Sequence, residues 1–132
     1  MKRIILFAIA SVFLVSCEKY SQNNPLVGTK WEFGNSLFCL EFQNRKVVLS
    51  PCRDDDYYKA HYAEYSFDGY TNYSFSDNIV TFDEPLVAVC RPLRFSNYPR
   101  LILQGAYLDG NKLILHYTGY EPGETMTGKR IQ

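Results

Sequence analysis

Leu101 to Tyr117 reads LILQGAYLDGNKLILHY, and this stretch decides the fold class. Apolar residues recur on either side of Asp109-Gly110-Asn111, so Leu101–Leu108 and Lys112–Tyr117 are expected to be two strands joined by a tight turn. Asp-Gly between alternating apolar runs is the strongest short-range signal of a β-hairpin. Upstream, Tyr73-Ser-Phe-Ser-Asp-Asn-Ile-Val echoes Tyr107-Leu-Asp-Gly-Asn-Lys-Leu-Ile: an aromatic, a turn pair, an apolar return. The echo is faint, but it agrees with a second hairpin from Asn72–Phe75 and Ile79–Phe82.

The same pattern covers the chain from Leu26 onward. Leu37–Phe42 alternates Phe38, Leu40 and Phe42 against Cys39 and Glu41, the period of a strand with two unlike faces. Gln43–Lys46 reads as a turn, and Val47–Leu49 as the return. Tyr62–Phe67, Val87–Phe95 and Thr125–Ile131 add further strands, and Val27–Phe33 leads in. Asp54–Tyr65 admits two readings. Tyr58, Tyr62 and Tyr65 stand at helical spacing behind Asp54 as an N-cap, whereas dense β-favouring Tyr argues for a strand, the reading favoured here. A chain of 132 residues is one domain. Eight or nine strands linked by short turns predict an all-β fold, a small antiparallel up-and-down β-barrel of about eight strands. Such a barrel has room inside for side chains or one small ligand. With eleven Tyr and nine Phe, the interior is expected to be largely filled.

Composition narrows the function classes. The chain is 46% hydrophobic and 21% charged, with 14 basic and 14 acidic residues. That balance excludes a disordered polyelectrolyte and a nucleic-acid binder working through net positive charge. Gly-x-Ser-x-Gly, His-Glu-x-x-His and a glycine-rich phosphate loop are all missing. A non-enzymatic protein without cofactor or metal is expected.

Leu26-Val27-Gly28-Thr29-Lys30-Trp31 resembles the Gly-x-Trp opening of lipocalins, and more closely the Leu-x-Gly-Thr-x-Trp opening of lipocalin-like and META-type domains of bacterial lipoproteins. The resemblance implies a lipocalin-like barrel over residues 26–132, with Trp31 plugging one end or touching a ligand. Lipocalins themselves keep one residue between Gly and Trp, where this chain has two.

The first residues differ from everything after them. Lys2 and Arg3 precede an uncharged run from Ile4 to Val15, too short to span a bilayer core of ~30 Å. Leu14-Val15-Ser16-Cys17 resembles the lipobox of bacterial lipoproteins, which implies cleavage after residue 16 and acylation of Cys17. Residues 1–16 are therefore expected to be a lipoprotein signal peptide, and residues 17–25 a lipidated Cys and polar tether. Each buried methylene contributes roughly 0.8 kcal/mol, so several acyl chains anchor firmly. No polybasic run lies near the anchor, so lipid chains rather than charge are expected to supply membrane affinity. The expected location is the cell envelope, the outer membrane in particular, with the folded domain in the periplasm or on the cell surface.

Cys39, Cys52 and Cys90 remain. An oxidising compartment allows a disulfide. A two-residue turn at Asn44-Arg45 would set Cys39 against Ser50, and a four-residue loop would set it against Cys52; Cys39–Cys90, Cys52–Cys90 and free thiols stay open. Asp54-Asp55-Asp56 lacks the spacing of a calcium loop and reads as a solvated turn. His61 and His116 have nothing in sequence to unite them at a metal, and a Cys90–His116 dyad would need an electropositive pocket that the sequence does not show. The tyrosines are the unusual resource: Trp31, Tyr62, Tyr65 and Tyr73 are the candidate contacts for a small apolar ligand or an envelope or host protein. Two readings follow for this expected monomer: a non-enzymatic binding module of unknown ligand, the reading favoured here, and, as the alternative, a filled barrel that binds or inhibits a protein through its Tyr-rich surface. Cys17→Ser is expected to abolish fatty-acid labelling and release the protein from membranes; unchanged labelling and fractionation would refute the lipoprotein assignment.

Overall fold

The computed structural model describes residues 24–132. The expected signal peptide at residues 1–16, the lipidated Cys17 and most of the tether lie outside the described residues.

Nine strands make the fold: β1 (Lys30–Phe33), β2 (Phe38–Phe42), β3 (Lys46–Pro51), β4 (Tyr62–Ser66), β5 (Tyr70–Ser76), β6 (Ile79–Pro92), β7 (Leu101–Asp109), β8 (Lys112–Thr118) and β9 (Glu124–Arg130). Each pairs antiparallel with its neighbours, and β6 pairs with β7 while β9 pairs with β1. Eight strands thus close into a barrel, and β4 is the extra one. It pairs with the far half of β6 (Tyr65 opposite Cys90), while β5 pairs with the near half (Tyr73 opposite Phe82). β4 and β5 therefore run in line along one edge of β6, parted by Phe67–Gly69. With those two counted as one broken strand, the barrel is a simple up-and-down meander.

The turn chemistry is local. Asp77 and Asn78 have φ of 52° and 64°. Positive φ at both central residues is what a two-residue turn matching strand twist requires. The β7–β8 turn bends at Gly110, φ 61°. Turns 43–46, 77–78 and 110–111 gather at one end, here the lower end, where residues 24–29 enter and β9 finishes. The upper end carries turn 34–37, loops 93–100 and 119–123, and helix α1 (Asp55–His61).

Helix α1 corrects the strand expected over Asp54–Tyr65, in which strand begins only at Tyr62. Asp54 caps the helix by accepting from the Tyr57 N–H at 3.0 Å, and Asp55 and Asp56 meet the positive end of its dipole. Local charge and capping outweigh the β preference of Tyr. A second correction concerns Ile79–Phe82 and Val87–Phe95, which are one 14-residue strand ending at Pro92. Its pairing jumps from Thr81–Gly105 to Leu86–Leu103. Asp83-Glu84-Pro85 forms the bulge there, and the freed Glu84 N–H donates to Thr71 Oγ1 at 3.0 Å. A Cβ on Gly105 beside this bulge would stand 2.6 Å from the Val80 carbonyl oxygen, so only glycine fits.

The interior is filled. Phe33, Phe38, Leu40, Phe42, Val47, Leu49, Leu103, Leu113 and Leu115 are all fully buried. Rings form a column, with centroids 5.6 Å apart from Phe33 to Phe38, 6.1 Å on to Phe67 and 5.2 Å on to Tyr58. At the lower end Trp31 is buried beside Leu26. Its indole N–H donates to Thr29 Oγ1 at 2.8 Å, and that hydroxyl donates to the Leu26 carbonyl. Removing so large a buried group costs about 3–5 kcal/mol. Trp31→Ala is therefore expected to unfold or severely weaken the domain in urea titrations. Trp31→Phe keeps most of the ring area and forfeits about 1 kcal/mol with the Thr29 hydrogen bond. Near-normal melting of Trp31→Ala would contradict the packing role.

Candidate functional site

The upper end holds an aromatic surface. Tyr58 is its buried root: the hydroxyl donates to the Leu37 carbonyl at 2.7 Å and accepts from the N–H groups of Cys52 at 3.0 Å and Arg53 at 3.2 Å. Tyr62 and Tyr65 lie beside it, with ring centroids 6.1 Å and 5.3 Å away. Tyr58, Tyr62 and Tyr65 keep the common face that their spacing gives, although the helix stops at His61. The Tyr65 hydroxyl donates to Asp55, which holds that carboxyl below its ordinary value and raises the phenol. Their contact is present above the ordinary carboxylate range and is lost as pH falls through the lowered value. Lys59 completes an exposed pair with Asp55 at 3.0 Å, a geometry of little net worth.

Loops 93–100 and 119–123 build the outer part. Phe95, Tyr98 and Tyr120 meet edge to face, with centroids 5.9 Å and 5.7 Å apart. Leu93 is 55% exposed, Phe95 51% and Tyr120 68%. The loop is pinned rather than free: the Leu93 N–H donates to the His61 carbonyl at 3.3 Å, and Arg91 Nη1 to the Phe95 carbonyl at 3.0 Å. Arg94 and Arg100 are exposed around the rings, and the Arg53 guanidinium stacks 4.4 Å over Tyr57. Aromatic rings bordered by arginine are the composition enriched at protein interfaces.

Beneath the patch lies Cys90, buried and free, its thiol pushed up to about 11 by burial. Burial also raises Tyr62, Tyr98 and Tyr117, so all of them stay protonated near neutral pH. A thiol held in that form is a weak nucleophile. His116 is exposed on the outer face of β8 while Cys90 points inward, so no Cys–His dyad is assembled. Asp54 is the cap, Asp55 contacts Tyr65, and Asp56 stands in the first turn of the helix. Among the described residues no group of three His, Cys, Asp or Glu side chains is placed to hold a metal ion.

The four candidate contacts separate. Tyr62 and Tyr65 belong to the upper surface. Trp31 and Tyr73 are buried at the lower end, where the Tyr73 hydroxyl donates to the Gln43 carbonyl at 2.6 Å and accepts from Asn24 Nδ2 at 2.9 Å. Asn24 is thereby fixed to the barrel. Cys39 and Cys52 are disulfide-bonded, with Cα atoms 5.5 Å apart. The β2–β3 turn is nonetheless the two-residue one, with Cys39 opposite Ser50. The bridge runs diagonally, because the chain leaves β3 at Pro51 and brings Cys52 back. Phe95, Tyr98 and Tyr120 were not singled out in the sequence. The signal of the first two is Leu93-Arg-Phe-Ser-Asn-Tyr-Pro-Arg100, large apolar residues set among turn formers, and Tyr120 stands in the turn-forming run Gly119-Tyr-Glu-Pro-Gly123.

Hollows described on the molecule open outward. One of about 630 Å³ sits at the lower end over Leu26, Trp31 and Leu108; another of about 500 Å³ lies on the outer wall around Gly105, Tyr107 and Ile114. Tyr58→Phe is expected to cost roughly 1–3 kcal/mol, since it strips partners from a carbonyl and two N–H groups. Thermal melting checks this, and an unchanged melting temperature would show the hydroxyl to be dispensable. Compared with known proteins, the chain matches no family model, no curated protein and no solved structure.

Proposed function

We propose that the protein is a lipid-anchored bacterial envelope protein that binds a protein partner through the aromatic surface at its upper end. The observation that carries the reading is the Phe95–Tyr98–Tyr120 ladder, its two outer rings exposed and Tyr98 half-buried between them, standing on a filled barrel. With Trp31 and Tyr58 closing the ends and rings stacked between them, the interior offers packing rather than a ligand chamber. An exposed apolar patch on a small domain marks an interaction site more often than chance decoration. The lipobox-like Leu14–Cys17 and the barrel-opening Gly28–Trp31 support the placement in the lipoprotein class. This favours the filled-barrel reading over a barrel that holds a small apolar ligand in its mouth.

Phe95→Ala/Tyr120→Ala tests it. Both side chains are exposed, so melting is expected to stay within about 0.5 kcal/mol of wild type. Cross-linking in intact cells is expected to lose the adducts that the unaltered protein forms. Identical adducts from both proteins would sink the proposal. So would a fluorescent fatty acid that binds saturably to the unaltered protein and quenches Trp31.

A further inference from the structure

The sequence carries no basic run near Cys17, yet the fold gathers scattered cations at the lower end of the barrel. Arg45, Lys112, Lys129 and Arg130 are exposed at the lower end, with Lys30 and Lys46 half-buried at the starts of their strands. These cations come from the first residue of β1, the β2–β3 turn, the start of β8 and the end of β9. Acidic residues in the turns of that end are Asp77 and Asp109. Directly across the strands, Glu41 stands opposite Lys30, Glu32 opposite Lys129 and Asp109 opposite Lys112, which leaves Arg45, Lys46 and Arg130 without a carboxylate directly opposite in the register. Lys112, Lys129 and Arg130 border the hollow of about 630 Å³ whose floor is Leu26, Trp31 and Leu108.

Apolar groups share this end. Val27 is 40% exposed, Ile79 51%, Ile131 46% and Tyr107 40%. Cations interspersed with exposed aliphatic groups and a tyrosine suit a phospholipid interface, where charge meets headgroups and apolar tips reach the acyl boundary. The path of the chain points the same way. Asn24 is held to Tyr73 at the lower end, and only residues 18–23 separate it from Cys17. Six residues span at most about 21 Å. An acylated Cys17 therefore keeps this end, and not the opposite one, against the bilayer.

We infer that the lower end is a docking surface for anionic phospholipid, which holds the barrel upright with its aromatic end directed away from the membrane. The inference rests on the proposed anchoring at Cys17. Screening lengths of ~10 Å in ordinary salt confine the attraction to the rim itself.

The test uses the full chain as its cell processes and acylates it. The protein is reconstituted into vesicles of phosphatidylcholine alone, or of phosphatidylcholine and phosphatidylglycerol in equal parts. A water-soluble amine-acylating reagent then labels lysines, read by peptide mass spectrometry. In vesicles with phosphatidylglycerol, labelling of Lys112 and Lys129 relative to Lys59 at the upper end is expected to fall by roughly fivefold, and to recover in high salt. Equal labelling of both ends overturns the docking surface. Equal protection in both compositions overturns the role of charge. Failure to float with phosphatidylcholine vesicles would instead overturn the anchor at Cys17, and the docking inference with it.

Discussion

Phe33 lies across Gly128, so close that a Cβ on the glycine would meet the ring at 2.5 Å. The contact sits where β1 and β9 join, and it lets the first and last strands approach with an aromatic ring between the wall and the core. Without that vacancy at position 128 the seam would be forced apart. Closure at this seam leaves neither β1 nor β9 as an unpaired edge to recruit another chain. Closure also fixes the width of the interior, which is why rings rather than a ligand occupy it. Phe33 starts the aromatic column that ends under α1, so the seam and the cap are parts of one packing unit.

Much of this architecture was legible in the sequence, and the failures have physical causes. Asp109-Gly110 marks its hairpin because turn geometry and strand alternation are both local. Asp54–Tyr65 misleads because residue preference and capping point to different structures, and capping prevails where Asp54 and the dipole agree. Asp83–Pro85 looks like the end of a strand, yet a bulge accommodates it and the strand continues. The tyrosine cluster reads as one site from spacing alone. The break at Phe67–Gly69 instead sends Tyr62 and Tyr65 to one end and Tyr73 to the other. The basic rim is invisible in sequence, since its members come from separate parts of the chain.

The two ends differ in character although both are closed by an aromatic side chain. At the lower end Trp31 is satisfied by Thr29 and overlaid by cations and aliphatic tips. At the upper end Tyr58 ties the disulfide segment to the β1–β2 turn, and a pinned loop presents rings to solvent. A surface built on pinned loops loses little freedom when it is covered, which lowers the entropic cost of association. The proposed division, with a bilayer below and a protein above, assigns each end the contact that suits its chemistry.

The seam has a consequence for how the molecule is made. Trp31 pairs with Arg130, and the Lys30 N–H donates to the carbonyl of Gln132, so closure joins residues about a hundred positions apart. Contacts of such sequence separation form late and slow folding, because the loop must be ordered before they repay it. A chain synthesised from its N-terminus has β1 and β2 available to pair early. The barrel would still gape until its last strand emerged. Completion of the fold is thus obliged to follow synthesis of the last strand, and until then the unpaired borders of β1 are the part most in need of a chaperone.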